Sequence, residues 1–356
     1  MRILHSADVH LSKVGDERWQ ALEELLSVGK KEKIDIFVIS GDLFNLDVDA
    51  EALRPDIRGL FSNNNFEILI VPGNHDANSY SSSMYFGENV RILSQKPYSV
   101  ADYPDVRLIG FPFKEIGDDE LITEIRNLSK VCLSDRKNIL IFHGELLDSF
   151  YSPDEFGSEG THRYMPVKLS YFNGLGLDYV LAGHFHSRFD ARKIDEQSYF
   201  IYPGSPVSIT KRETGERKAN LFELGRAPKE HSLKTKYFQD LKIEIDPFAG
   251  GKPEELIKKR LDAVGDNAKL LLEVSGYIDS GETELKRMVD EAIKIRKISV
   301  ENKDKDTYFK VTDIGHILQS DLYKQFEEKL RAGEDEDGLK DEILNMTIKA
   351  MMEAGL

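Results

Sequence analysis

The amino-acid sequence predicts an α/β fold, in which the strands of a sheet alternate with helices along the chain. Helical patterns with i, i+3, i+4 spacing, such as Trp19-Leu22-Leu25-Leu26, separate the first of several short apolar runs. Each run is rich in Ile, Val, Leu or Phe and nearly continuous, which is typical of strands that are buried on both faces. The five runs are Arg2–Ala7, Ile34–Ser40, Phe66–Val71, Asn138–Phe142 and Asp178–Ala182.

The 356 residues are enough for two or three domains. A break between Gly225 and Pro228 ends the α/β pattern, and a stretch of alternating strand-like and helical patterns follows it. This stretch predicts a small α+β domain, with elements at Lys242–Ile245, Leu270–Val274 and Glu282–Ile295. Two further helices are predicted at about Ser320–Arg331 and Leu339–Met352. We therefore predict three parts, which are residues 1–228, 233–311 and 315–356.

The composition is that of a globular protein, with 40% hydrophobic and 31% charged residues. The single cysteine, Cys132, excludes an internal disulfide and a thiolate metal cage. No apolar run approaches the roughly 20 residues that cross a bilayer, so we expect no membrane contact. Met1 and Arg2 lead directly into a strand, so we expect no signal peptide. We therefore expect a cytoplasmic protein. The formal net charge of −15 argues against coating nucleic acid by bulk electrostatics, but a local basic path would still allow nuclease action.

Each of the five predicted strands ends in residues of the kinds that bind metals. Because ligands bind beyond the carboxyl ends of the strands in an open α/β sheet, we expect these side chains to converge at one edge. Any one of the motifs could be a surface turn, but five matches in order, each after a buried strand, are specific. The residues are Asp8, His10, Asp42, Asn74, His75, Asp76, His143, His184 and His186.

These side chains suit a two-metal phosphoesterase. Two cations about 3.5–4 Å apart can clamp the attacking and leaving oxygens of a phosphoryl displacement. A central aspartate can bridge the cations, and imidazole together with carboxylate suits Mn, Fe or Zn better than Ca or Mg. Glycine precedes Asp42, Asn74 and His184, which predicts sharp turns and a close approach of the backbone.

The motifs Asp-x-His, Gly-Asp, Gly-Asn-His-Asp, His and Gly-His-x-His, in this order, resemble those of the calcineurin-type metallophosphoesterase superfamily over roughly residues 1–210. The resemblance implies a four-layer β-sandwich, in which two mixed sheets are flanked by helices. Within the superfamily, Arg2–Leu11 is similar to the opening of the SbcD-type nuclease of double-strand-break repair, also called the Mre-eleven family. Gly41–Phe44 and Tyr202–Pro206 share this similarity, as does the order of nuclease domain, capping domain and C-terminal helices.

The resemblance implies a role for each matching residue. One metal would be held by Asp8, His10, Asp42 and His186, and the other by Asp42, Asn74, His143 and His184. His75 would not be a ligand but would stabilise the transition state or protonate the leaving oxygen, with Asp76 orienting it. The cofactors would be two divalent ions, Mn²⁺ first, with Fe, Zn or Mg as alternatives.

One position departs from the nuclease pattern. The family has a histidine three residues after the bridging aspartate, where it helps to place DNA for exonuclease cleavage, and this chain has Asn45. We therefore expect weakened exonuclease action with intact metal ligands. Arg188 and Arg192 follow the final histidines and are candidates for positioning substrate. Arg188 and Arg192 belong to a segment of mixed charge, which predicts a solvated face. A path that contacts phosphates is the alternative. The other charged residues of this mixed-charge window are Lys193, Lys211, Arg212, Arg217, Lys218, Asp190, Asp195, Glu196, Glu213 and Glu216.

The last predicted helix is apolar on two sides, one with Leu339, Ile343, Met346 and Ala350, the other with Leu344, Ile348 and Met351. One side can pack on its own domain and the other on a partner. In the resembling family, C-terminal helices bind the coiled-coil root of an ABC-type ATPase (SbcC-type, or Rad-fifty). We expect such a partner, together with DNA and a homodimer whose contact lies, by analogy, between Asp49 and Gly87. A helix buried wholly within its own chain is the alternative.

We therefore predict a metal-dependent DNA exonuclease and endonuclease that serves as the nuclease subunit of an SbcCD-type complex in double-strand-break repair. A phosphodiesterase of small or cyclic nucleotides is the alternative enzyme. A non-enzymatic scaffold of the same fold, and an active fold used mainly in signalling through its partner, are alternatives of a different class. The scaffold is disfavoured because every ligand position is filled.

Overall fold

A computed structural model describes residues 1–80, 85–148, 163–246, 252–279, 281–302, 308–333 and 336–354 of the chain. The chain forms two compact units, Met1–Phe238 and Gln239–Leu356. The division of the sequence at residue 228, and the finer one into 233–311 and 315–356, stay predictions. Within the described ranges, no helix has the length and apolar character needed to span a membrane.

Two six-stranded mixed sheets form the first unit. Its strands are β1 (Arg2–Ser6), β2 (Ile36–Ser40), β3 (Glu67–Val71), β4 (Val90–Ile92), β5 (Ser99–Asp102), β6 (Val106–Phe111), β7 (Lys137–His143), β8 (Tyr179–Gly183), β9 (Asp190–Lys193), β10 (Tyr199–Tyr202), β11 (Lys218–Glu223) and β12 (Glu230–Ser232). The first sheet has the order β12-β11-β1-β2-β3-β4, with β1 to β4 parallel. The second has the order β5-β6-β7-β8-β10-β9, with antiparallel strands at both edges. The five predicted strands are confirmed as β1, β2, β3, β7 and β8, with small shifts at their ends.

Successive residues of the central strands face two different cores. Ile3 and Ile139 lie in the cluster between the sheets, whereas Leu4 and Leu140 lie in the clusters on the outer faces. The outer clusters are covered by the helices α1 (Glu17–Glu32), α2 (Asp47–Ser62) and α3 (Asp118–Asn127), and short 3-10 helices lie at Leu128–Lys130 and Leu169–Phe172. The predicted four-layer sandwich is therefore confirmed, and burial on both faces explains why the strands are continuous apolar runs.

The second unit is a small α+β structure. Its elements are β13 (Tyr237–Ile245), which begins just before it, α4 (Pro253–Asp262), β14 (Ala268–Ile278), α5 (Glu282–Ile295), β15 (Ser299–Val300), β16 (Phe309–Asp313), α6 (Gly315–Gln319), α7 (Asp321–Arg331) and α8 (Asp337–Glu353). The sheet has β14 at its centre, with β13, β15 and β16 as its partners. The predicted strands and helices of this region are confirmed, and α5 has the predicted bounds.

The two apolar sides of α8 differ in burial. Leu344 and Ile348 have no exposed surface and pack with Ile317 and Tyr323 of the same unit. On the other side, 48% of Leu339 and 65% of Met346 is exposed. The sequence left open which side would face a partner. The structure assigns the side with Ile348 to the core of the chain itself.

Candidate metal centre

The turns after β1, β2 and β8 place ligand-type residues in an unusual backbone conformation. Asp8, His10, Asp42 and His184 have φ values of 56°, 52°, 52° and 96°. Such values cost a residue with a Cβ atom on the order of 1–3 kcal/mol, so the surroundings must hold them. The backbone N–H of Asp8 donates to the carbonyl of Gly41 at 3.1 Å, and that of His10 donates to the carbonyl of Asp42 at 3.0 Å. These bonds extend the parallel pairing of β1 and β2 into the two turns.

All three predicted glycines permit a close approach at the site. A Cβ atom on Gly41, which has a φ of +93°, would overlap the imidazole of His143. A Cβ atom on Gly73 would overlap the carboxylate of Asp42. A Cβ atom on Gly183 would overlap the backbone carbonyl oxygen of the last residue of β2. At all three positions the predicted close approach of the backbone is confirmed.

Asp8, His10 and His186 form one group of buried ligand atoms, all within 4.8 Å of one another. Nε2 of His186 lies 3.7 Å from Oδ1 of Asp8, and 3.3 Å from Nε2 of His10. Two imidazole nitrogens that face each other at this distance share at most one proton between them, because two N–H groups would collide. At least one lone pair therefore points into the shared space, as binding of a cation requires.

A second group is centred on Asp42. Its Oδ2 lies 3.2 Å from Nε2 of His143 and 3.8 Å from Nε2 of His10. Nε2 of His143 also lies 2.9 Å from Oδ1 of Asn74. Asp42 thus belongs to two groups of candidate ligands, one that contains His10 and one that contains His143. A carboxylate that bridges two metals must lie between two such groups. His184 lies beside His143 with a ring-centroid distance of 5.5 Å, but within the described part of the chain it joins no such group and stays a predicted ligand.

The electrostatics of the centre favour positive charge. Burial raises the pKa of the Asp8 carboxyl to about 6. Burial acts in the same sense on Asp42, but the charge and hydrogen bond of His143 outweigh it and hold the pKa of Asp42 well below its usual range. Burial opposes protonation of His143, yet the charge of Asp42 raises the pKa of this imidazole to about 10. Divalent cations would meet the same field, and the set of carboxylate, imidazole and amide donors fits them.

His75 lies beside His10, with 4.7 Å between the ring centroids. Its Nδ1 donates to the backbone carbonyl of Asn45 at 2.8 Å, so the neutral ring carries its lone pair on Nε2. The carboxylate of Asp76 is fully buried and accepts hydrogen bonds from the backbone N–H of Gly73 (2.8 Å), the backbone N–H of Phe44 (3.2 Å) and the hydroxyl of Tyr80 (2.7 Å). The predicted role of Asp76 in orienting His75 stays a prediction. Asp76 holds the turn after β3, and the carbonyl of Asn45 orients His75.

The predicted substrate-positioning residues differ in their surroundings. The side-chain oxygen of Asn45 accepts a hydrogen bond from Nη1 of Arg18 at 3.1 Å, and the same nitrogen donates to the carbonyl of His10 at 2.8 Å. Arg18 is therefore a cation beside the centre that sequence reasoning missed. Arg188 is exposed, with its guanidinium 5.5 Å from the ring centroid of Phe185. Arg192 donates to Asp190 within β9 at 2.9 Å. For Arg188 and Arg192 the role stays a prediction.

Two members of the mixed-charge window are not on a solvated face. Glu213 has no exposed surface and Arg217 is only 1% exposed, so the prediction of a solvated face is wrong for both. Oε1 of Glu213 lies 3.5 Å from Nδ1 of His186. No signal in the sequence separates these two residues from their exposed neighbours, because a window of balanced charge has the same pattern in either setting.

A cleft of roughly 700 Å³ opens beside the centre. Asn74 and His75 line it, together with Phe113, Lys114, Glu115, Asp118, Arg163 and Tyr164. Its volume lies within the range of about 300–1,000 Å³ that is common for ligand sites. The cleft gives a substrate access to His75.

A family model described as calcineurin-like phosphoesterase matches residues 1–188. The chain belongs to this family. The superfamily predicted from the motifs is thereby confirmed. As a calcineurin-like phosphoesterase, the chain has the fold of a phosphoester hydrolase with a dimetal centre, and the groups around Asp8 and Asp42 supply candidate ligands for it. The identity of the metals, the manganese prediction included, stays a prediction.

Two curated relatives resemble most of the chain. It is 23% identical to a subunit of the nuclease SbcCD of Staphylococcus epidermidis, over 84% of this chain and 83% of that protein. It is also 23% identical to the DNA double-strand break repair protein Mre11 of Archaeoglobus fulgidus, over 100% of this chain and 85% of that protein. Among solved structures, a dimetal phosphatase from Danio rerio is similar with a TM-score of 0.40 and 10% identity, over 66% of this chain and 99% of that chain.

Proposed function

We propose that this chain is a metal-dependent DNA nuclease, the nuclease subunit of an SbcCD-type complex that acts in double-strand-break repair. The observation that carries the proposal is the convergence of the predicted ligand-type side chains in a chain that resembles nuclease relatives along most of its length. That similarity extends beyond the family match at residues 1–188 into the second unit. A lone phosphoesterase domain would give no such likeness.

Two divalent ions, Mn²⁺ first, would be held by Asp8, His10, Asp42 and His186 and by Asp42, Asn74, His143 and His184. When bound, they would polarise the phosphate and activate water for attack. His75, whose Nδ1 is fixed on the carbonyl of Asn45, presents the lone pair of Nε2 to the reacting groups. In its protonated form this nitrogen can stabilise developing charge or protonate the leaving oxygen.

Cations near the centre would suit a nucleic-acid substrate in spite of the net charge of −15, although Glu115 and Asp118 line the same cleft and Lys114 is paired with Glu124. Arg18 lies next to His10, and Lys114 and Arg163 line the cleft beside His75. A strand of DNA that enters the cleft would contact these cations near the scissile phosphate. Arg188 and Arg192 would add contacts farther from the centre.

The exposed side of α8, with Leu339 and Met346, would dock on the coiled coil of an SbcC-type ATPase. The complex would be a homodimer of the nuclease in the cytoplasm. Support for a partner subunit and for DNA comes from the names of the relatives, which are a subunit of the nuclease SbcCD and a DNA double-strand break repair protein.

A second candidate is a phosphodiesterase of small or cyclic nucleotides, which the acidic balance favours. Mn-dependent cleavage of linear duplex DNA, single-stranded DNA and cyclic nucleotides should be compared, with Asp42→Ala as the metal-site control. We expect cleavage of DNA that is lost in Asp42→Ala. Hydrolysis of cyclic nucleotides with no cleavage of either DNA would instead support the second candidate, and no hydrolysis of any substrate would contradict both.

A further inference from the structure

A buried pair of opposite charges, Glu213 and Arg217, lies behind the metal ligand His186. Both side chains are almost completely withdrawn from solvent, with exposed fractions of 0% and 1%. Removing a charged group from water costs several kcal/mol unless hydrogen bonds and an opposite charge offset it. The contacts of the two residues show what their burial achieves.

Arg217 holds the turn that carries His186. Its Nη1 donates to the carbonyl of Ser187 at 2.9 Å and its Nε to the carbonyl of Ser205 at 3.0 Å. Its Nη2 donates to the carbonyl of His186 and to the hydroxyl of Ser205. The guanidinium therefore fastens residues 186 and 187 to Ser205, in the segment that follows β10.

Glu213 is held as firmly. Its Oε2 accepts from the backbone N–H of Ile209 at 2.8 Å and from the hydroxyl of Ser205 at 3.1 Å. Its Oε1 accepts from the hydroxyl of Thr210 at 3.1 Å and lies 3.5 Å from Nδ1 of His186. The carboxylate of Glu213 thus faces Nδ1 of His186, whereas Nε2 on the other side of the ring lies near Asp8.

A carboxylate in this place has a chemical consequence. The charge of a carboxylate oxygen 3.5 Å from Nδ1 of His186 favours a proton on that nitrogen, which leaves the lone pair on Nε2 and makes Nε2 more basic. By contrast, Nδ1 of the predicted ligand His143 donates to the backbone carbonyl of Ser40 at 2.9 Å. A neutral carbonyl strengthens a ligand less than a carboxylate does.

We propose that Glu213, held by Ile209, Ser205 and Thr210, is a positioning residue that fixes the tautomer of His186. It thereby gives the cation held by Asp8, His10 and His186 a higher affinity than the cation on the side of His143. The inference rests on the proposed function only in requiring that these ligands bind metal. It does not require that the substrate be DNA.

The first test is a calorimetric titration of the metal-free protein with Mn²⁺. Glu213→Gln keeps the shape of the side chain and removes its charge, and Glu216→Gln is the matched control, because Glu216 is exposed and paired with Lys218. We expect Glu213→Gln to weaken the tighter of two Mn²⁺ sites by about 10–100-fold and to leave the weaker site unchanged. Glu216→Gln should leave both sites as in the wild type. Two Mn²⁺ affinities that both match those of the wild type in a folded Glu213→Gln protein would overturn the proposal.

The second test reads the tautomer directly by NMR of ¹⁵N-histidine in the metal-free protein at a pH where the ring is neutral, because a metal bound at Nε2 would itself force the proton onto Nδ1. In the wild type, the proton of His186 should reside on Nδ1, and its resonance should shift in Glu213→Gln, which a purely structural role would not require. A wild-type proton on Nε2 of His186 would overturn the proposal even if Glu213→Gln does not fold. Two bound Mn²⁺ ions without DNA cleavage would contradict the nuclease function and leave the role of Glu213 intact.

Discussion

Placing glutamate at Ile348 or at Met346 should separate the two sides of α8. The two positions lie on one helix, but Ile348 has no exposed surface and 65% of Met346 is exposed. Ile348 packs with Leu344 and Tyr323 in the core of the second unit. The same charge on each side therefore tests which side the chain buries for itself.

The structure gives different magnitudes for the two substitutions. A fully buried isoleucine side chain contributes about 1.5–3 kcal/mol, and a carboxylate left there without a partner adds a desolvation cost. We expect Ile348→Glu to lower the free energy of unfolding by about 3 kcal/mol or more. Met346→Glu should change it by less than about 0.5 kcal/mol, as is usual for surface positions.

Urea unfolding followed by circular dichroism measures the stability of both variants, and titration with the coiled coil of an SbcC-type ATPase measures docking. We expect Met346→Glu to keep its stability and to lose binding. An unfolding free energy unchanged in Ile348→Glu would refute the burial argument. Wild-type binding by Met346→Glu would refute docking through the exposed side.

Three further predictions concern the site and its surroundings. His75→Ala should lower turnover of bis(p-nitrophenyl) phosphate by ~10²–10⁴-fold. The metal content should be unchanged, because His75 is not assigned as a ligand. Loss of metal in elemental analysis would show that His75 is a ligand, which its position near His10 and Asp42 permits. Asn45→His should raise the exonuclease rate on duplex ends, and no change from an already strong wild type would show that another residue supplies the function. Burial lowers the pKa of His5 to about 3. Below about pH 6.5 the unfolded chain therefore binds a proton on this histidine that the folded chain does not bind. The free energy of unfolding falls as the pH decreases from 6.5 towards 3. In His5→Gln the loss between pH 7 and pH 4.5 in urea unfolding should be smaller by roughly 2–3 kcal/mol; an equal loss would show that His5 is not the source.

The central strands and the candidate ligands could be predicted because each follows from local pattern. Ile3 and Leu4 face different cores, so the strand must be apolar at consecutive positions, and the sequence displays this directly. The turn after such a strand has a fixed place at the sheet edge. The chemical types of Asp8 and His10 therefore located the centre without any long-range information.

The orientation and burial of single side chains could not be predicted in the same way. Asp76 follows His75 in the chain, but its carboxylate turns away to Gly73 and Tyr80, because the backbone of the turn needs an acceptor there. Glu213 and Arg217 share a pattern with exposed charges, and their burial depends on the packing of the segment around Ser205. Such choices are made by tertiary contacts, which a single sequence does not display.

The left-handed backbone of Asp8, His10, Asp42 and His184 has a consequence for selection. Glycine and asparagine adopt this conformation more readily, so replacing any of the four would relieve strain at the cost of a candidate ligand. A library sorted only for thermal stability, without metal, should therefore enrich glycine or asparagine at these positions and lose hydrolysis as it gains stability. Sorting the same library with saturating Mn²⁺ should retain Asp and His, because a cation that binds only the folded state stabilises it. Metal binding would thus maintain Asp and His at these four positions, although the backbone conformation there is less strained with other residues.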